Sequence, residues 1–123
     1  MKQHTPLFLK LVSAAKKQTK LITPQDLQQK INKGEPIWLI DVREESEWNQ
    51  GHIPKAIHLS KGIIERDLEK LIPDQQTPII LYCSGGFRSI LAADNLNKMG
   101  YTQVYSLEAG SQGWREAGFE WSI

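Results

Sequence analysis

The chain contains a single cysteine, Cys83, in 123 residues. No internal disulfide can form and no second thiol exists to resolve one, so any thiol chemistry at Cys83 must finish on an outside molecule. An excess of charge of one sign is also missing, since 15 basic residues stand against 14 acidic ones for a formal net charge of +1. That balance gives no reason to expect nucleic acid or an acidic membrane surface as a partner. Long apolar runs are absent too: residues 78–82 form one of the longest, far short of the roughly 20 residues that span a bilayer. Near the start, residues 7–12 look like a short export signal, but Lys10 interrupts them and Lys16, Lys17 and Lys20 follow. An amphipathic helix belonging to the domain is the better reading, with a cytoplasmic location as the default expectation. His4, His52 and His58 lack compact ligand spacing, so no metal is expected. The three-glycine dinucleotide fingerprint is also lacking, and no other cofactor is called for.

What is present suits one domain. Hydrophobic residues make up 40% and charged residues 24%, enough for a core in a chain too short for two ordinary domains. The expectation is a single domain over residues 1–123, with residues 1–21 as a helical extension packed on the core. Leu7, Phe8, Leu11 and Ala15 share one helical face. Thr23 and Pro24 read as N-cap and first helical residue, followed by Leu27 and Ile31 and closed by Gly34. Residues 37–42 form a nearly continuous apolar run, as buried strands of parallel sheets do. Residues 43–54 are polar and turn-rich, 56–59 suggest a short strand, and 65–71 a short helix around Leu68 and Leu71 stopped by Pro73. Residues 79–82 are the strongest strand, 89–99 a helix with Leu91, Ala92, Leu96 and Met99 inward, and 104–107 the last strand. Gly110 and Gly113 precede Trp114 in a final short helix that gives way at Gly118. Strands alternating with helices predict an α/β fold with a central parallel sheet.

The segment from Tyr82 to Ser89 carries most of the chemistry. A strand ends, Cys83 follows at once, Gly85 and Gly86 permit an unusual backbone path, and a helix begins. Successive amides in such a turn, continued by the free N–H groups of a helix start, converge on a point suited to an anion. A thiolate at Cys83 is the first anion they would meet, and a persulfide formed on it would face the same donors. Read alone, Cys83 also fits a small buried hydrophobe. Arg88 likewise fits an ordinary first-turn residue paired with a carboxylate.

In this light the chain resembles the rhodanese-like sulfurtransferase family. The upstream motifs are Ile22-Thr23-Pro24-Gln25-Asp26-Leu27, Leu39-Ile40-Asp41-Val42-Arg43-Glu44, Glu47-Trp48 and Gly51-His52-Ile53-Pro54. The downstream ones are Cys83-Ser84-Gly85-Gly86-Phe87-Arg88-Ser89, Met99-Gly100-Tyr101, Leu107-Glu108-Ala109-Gly110 and Trp114. The resemblance implies a three-layer fold in which a central parallel sheet lies between helices, here with an extra N-terminal helix. It implies transfer of sulfane sulfur from a donor such as thiosulfate to cyanide, a thiol or an acceptor protein, through a persulfide on Cys83. The persulfide-binding loop falls on Ser84, Gly85, Gly86, Phe87, Arg88 and Ser89. Asp41, Arg43, Trp48, His52 and Trp114 are expected to be structural or to rim the pocket. The planar fork of Arg88 suits either a donor oxyanion or support of the loop. One departure is Ala109, where the family commonly has glycine; this matters only if the position needs a positive φ.

Two other functions stand beside this one. Cysteine phosphatases have a similar loop, one residue longer between cysteine and arginine than the four residues separating Cys83 from Arg88. A non-catalytic binding or regulatory module on the same fold is the other.

Overall fold

The computed structural model describes residues 3–123; Met1 and Lys2, the first part of the expected extension, lie outside it. In chain order the elements are α1 (Pro6–Lys16), β1 (Lys20–Ile22), α2 (Pro24–Asn32), β2 (Trp38–Asp41) and α3 (Glu45–Trp48). There follow β3 (Ile57–His58), α4 (Ile64–Leu71), β4 (Ile79–Tyr82), α5 (Arg88–Lys98), β5 (Val104–Leu107) and α6 (Gly110–Glu116). The strands form a five-stranded sheet in the order β1-β5-β4-β2-β3, and every neighbouring pair is parallel. β4 is its central strand, as expected, and all its residues are buried. No helix among the described residues is long and apolar enough to cross a membrane.

The two-residue period of a strand divides these short apolar runs between two cores. Ile40, Ile79 and Leu81 face α4 and α5 through Ile64, Leu68, Ala92, Ala93 and Leu96, and Cys83 belongs to this side. Leu39, Ile80 and Tyr82 face α2 and α6 through Leu27 and Trp114. Helices thus cover both faces of the sheet. α2 begins as its sequence signals indicate, with the Asp26 amide donating to Thr23 Oγ1 at 3.1 Å and Pro24 in the first turn. It ends at Gly34, where φ is +68°.

Several local expectations change in the structure. α1 packs on α5, but through Phe8, Val12 and Ala15 against Ile90 and Leu91. Leu7 and Leu11 are 81% and 58% exposed, so the inward face is rotated from the one that the apolar spacing marks. In α4 the buried residues are Ile64 and Leu68, continued by Ile72, while Leu71 faces outward. The polar stretch 43–54 contains the one-turn helix α3, held by a capping box between Glu44 and Glu47. Lys20–Ile22, which carries no strand signal of its own, becomes an edge strand by pairing with β5.

Candidate active site

Cys83 immediately follows β4, at the carboxyl edge of the sheet where ligands of open α/β folds bind. Its Sγ is contacted by the Gly86 amide at 3.1 Å and the Ser89 amide at 3.4 Å. The Ser89 hydroxyl lies at 3.5 Å from the same sulfur. The loop therefore wraps back over the thiol and meets it with donors, although the side chain belongs to the buried core. Of the two loop glycines only Gly86 has a positive φ, +95°. A Cβ there would stand 3.1 Å from the Ala109 nitrogen, whereas one on Gly85 would meet nothing within 4 Å. The unusual backbone expected of both glycines is thus confined to Gly86.

The loop is held from behind by the chain after β5. The amides of Ser111 and Gln112 donate to the carbonyls of Cys83 and Ser84 at 2.8 and 3.0 Å. This close approach needs Gly110, since a Cβ there would overlap both carbonyl oxygens, and its φ is +54°. Ala109, the departure from the family pattern, is also left-handed at φ +59°. The position therefore does take the conformation that favours glycine. Ser106, buried on β5, shares a 2.7 Å hydrogen bond with the Ser89 hydroxyl. Nothing in its own strand marked Ser106 as a site residue; only the β4–β5 register brings it there.

Arg88 opens α5 and is bound at both terminal nitrogens. They donate to the two carboxylate oxygens of Glu47 at 2.8 and 3.0 Å, and Nη2 also reaches Ser84 Oγ at 3.2 Å. The Arg88 hydrogen bond holds the Glu47 carboxyl below the usual carboxylate range, and Glu47 in turn raises Arg88. The loop is thereby tied to α3 through a planar fork. Sequence motifs include Glu47, but its role as the partner of Arg88 depends on a contact across 41 positions.

The remaining candidates lie elsewhere. Asp41 and Arg43 form a buried ion pair, with Arg43 Nη2 2.8 Å from Asp41 Oδ2 and also donating to the Gly51 carbonyl at 2.7 Å. The pair is 0% and 6% exposed, and it fixes the turn after β2. His52 pairs with Ser122 through backbone hydrogen bonds, and Trp48 stacks on its ring at 3.7 Å. Trp114 is buried and donates to the Glu120 carbonyl at 2.7 Å. None of these residues is in the lining of the cleft over Cys83. Of the two roles expected for Trp48 and Trp114, their positions here fit the structural one, and the cleft is lined by Phe87, Arg88, Gln112 and the residues leading into α1. That N-terminal contribution carried no signal in the sequence.

The cleft has a volume of about 590 Å³ with Cys83 in its lining. An anion-directed loop around a lone thiol, at the end of the central strand, is an arrangement in which an ionised sulfur could attack and carry an electrophile.

The chain is similar to several known proteins. YtwF of Bacillus subtilis, provisionally named a sulfurtransferase, is 35% identical over 95 residues, covering 77% of this chain and 89% of that protein. Thiosulfate sulfurtransferase GlpE of Coxiella burnetii is 34% identical over 79 residues, covering 64% of this chain and 72% of its own length. Among solved structures, a Rhodopseudomonas palustris protein of unknown function, described as a possible tyrosine phosphatase, superposes with a TM-score of 0.85 at 25% identity, covering 98% of both chains. A rhodanese-related protein of Thermoplasma volcanium gives a TM-score of 0.72 at 25% identity, covering 83% of this chain and 96% of its own. The family model described as the rhodanese-like domain matches residues 23–117, and the chain belongs to that family.

Proposed function

We propose that the protein is a sulfurtransferase that carries sulfane sulfur as a persulfide on Cys83. Family membership supports a general role in sulfur transfer; the carrier, donor and acceptor are the proposal. The observation that carries it is the pair of amides, Gly86 and Ser89, directed at the Cys83 sulfur. In the first half-reaction the Cys83 thiolate attacks the outer sulfur of thiosulfate. A new S–S bond forms, the old one breaks, and sulfite leaves with the bonding pair. In the second, an acceptor thiolate or cyanide takes the terminal sulfur and returns the pair to Cys83. The Gly86 and Ser89 amides face the Cys83 sulfur, which bears the charge when it attacks the donor and again when the acceptor leaves with the terminal sulfur. With one cysteine in the chain, the acceptor has to come from outside.

A phosphatase reading draws on the Rhodopseudomonas structure. Against it, the arginine that would fork around a phosphoryl group has both terminal nitrogens on Glu47. Four residues between Cys83 and Arg88 also make a narrower loop than a phosphoryl group requires. The experiment is intact mass after incubation with thiosulfate and removal of excess donor. A gain of one sulfur, about 32 Da, that is lost on adding cyanide or a thiol and absent in Cys83→Ser, is the expected result for a covalent carrier. Turnover of an aryl phosphate without any adduct would favour the phosphatase, and neither result would leave a non-catalytic module.

A further inference from the structure

The cleft over Cys83 is much larger than the small ions of the assay reaction. Its volume of about 590 Å³ falls within the roughly 300–1,000 Å³ of sites that enclose ligands of drug size, whereas thiosulfate and cyanide have a handful of atoms each. One whole wall comes from residues that precede the family-matched span 23–117: Gln3, His4, Thr5 and Phe8. Phe87 and Gln112 line the same cleft.

This wall is fixed to the body of the protein. Val12 and Ala15 are buried against Ile90 of α5, the Asn97 side chain donates to the Gln18 carbonyl at 3.0 Å, and β1 then joins the sheet. At the other end of α1 the His4 ring meets Phe87 of the active loop nearly edge-on, with centroids 4.7 Å apart. Phe8 completes the cluster, 5.2 Å from His4 and 6.3 Å from Phe87. The active loop thus has one of its own side chains packed into the N-terminal wall.

Resting on the reading of Cys83 as a sulfur carrier, we infer that Gln3, His4, Thr5 and Phe8 form the acceptor subsite and select a thiol of small-peptide size. The chemistry of the walls identifies that class. The carboxamides of Gln3 and Gln112 and the hydroxyl of Thr5 suit the donors and acceptors of a peptide backbone. The rings of His4, Phe8 and Phe87 suit the methylenes of its side chains. Arg88, the guanidinium in the cleft, is occupied by the Glu47 carboxylate. A thiol bearing several phosphates would therefore meet little compensating charge here.

The test is single-turnover discharge of thiosulfate-loaded protein, following loss of the sulfur adduct by mass. Acceptors are glutathione as the peptide thiol, coenzyme A as the phosphate-bearing thiol, and cyanide as the reference that needs no wall. The wild type should discharge to glutathione at least about tenfold faster than to coenzyme A. His4→Ala and Phe8→Ala should each lower the glutathione-to-cyanide rate ratio, by about tenfold if the aromatic contacts act together. His4→Phe keeps the ring against Phe87 and should restore the ratio, while Leu7→Ala, on the exposed face of α1, should leave it unchanged. Because Phe8 also packs on α5, thermal melts identify any loss of fold, and His4→Ala decides the matter if Phe8→Ala is unfolded. Equal ratios in wild type and His4→Ala, or coenzyme A discharging as fast as glutathione, would overturn the acceptor subsite alone. A wild type that takes up no sulfur from thiosulfate would overturn the carrier reading beneath it.

Discussion

Ala109 and Gly110 are adjacent, both left-handed, and should respond in opposite directions to exchange of alanine and glycine. Ala109 has φ +59° and an exposed side chain. A left-handed alanine is strained by about 1–2 kcal/mol, and glycine relieves that strain while adding about 0.4–1 kcal/mol of unfolded-state entropy. Ala109→Gly is therefore expected to stabilise the fold by about 0.5–1 kcal/mol, raising Tm by about 2–4 °C for a domain of this size. At Gly110 the same φ region comes with a different neighbourhood, because a Cβ would overlap the carbonyl oxygens of Cys83 and Ser84. Gly110→Ala has to push α6 away from the active loop and stretch the bonds from the Ser111 and Gln112 amides. Loss of those bonds at about 1 kcal/mol each, with the left-handed strain, makes a destabilisation of about 3 kcal/mol and a fall in Tm of about 10 °C. Thermal and urea unfolding of both variants measure the two signs. Alkylation of native Cys83 should be preserved in Ala109→Gly and altered in Gly110→Ala, whose loop has lost its support. A destabilised Ala109→Gly, or a Gly110→Ala that unfolds like the wild type, would refute this account of the two positions.

Three further outcomes are expected. Gly86→Ala, which places a Cβ 3.1 Å from the Ala109 nitrogen at φ +95°, should slow Cys83 alkylation and cost about 1–3 kcal/mol, whereas Gly85→Ala should do neither; equal effects would remove the special role of Gly86. Arg43→Ala leaves the Asp41 carboxylate buried without its partner, and urea unfolding should show a loss of about 3–5 kcal/mol; a loss under about 1 kcal/mol would mean that the pair is not fixing the turn after β2. Glu47 is held below its ordinary range first by its hydrogen bond to Arg88, so its stabilisation is fully present above that range and disappears as pH falls through the depressed value. Glu47→Gln should therefore be less stable than wild type at neutral pH, by about 1 kcal/mol or less for a partly exposed pair, and the two melting curves should converge in acid; a gap that widens in acid would reverse the assignment.

Much of this protein was decided locally and could be read from the chain. Strands at 38–41, 79–82 and 104–107 followed from short runs dense in β-branched and other apolar residues. The start of α2 followed from Thr23-Pro24, and the turn that ends it from Gly34. Cys83 and the loop around it were legible for the same reason: a strand end, glycines and a helix start are neighbours in sequence, and the amides of Gly86 and Ser89 need no distant partner to reach the sulfur. What periodicity leaves open is the direction in which a face points. The spacing of Leu7, Phe8, Leu11 and Ala15 marked a helix correctly, yet the choice of Phe8, Val12 and Ala15 as the inward set came from the shape of α5. In the same way Ile64 and Leu68, rather than Leu71, turned inward only once α4 met the sheet. The supports of the site belong to this second class. Glu47 on Arg88, Ser106 on Ser89, α6 beneath the loop and His4 against Phe87 each join segments far apart in the chain. Such contacts depend on strand order and on which helix covers which face, and no local pattern of residue types encodes those until the whole core has formed.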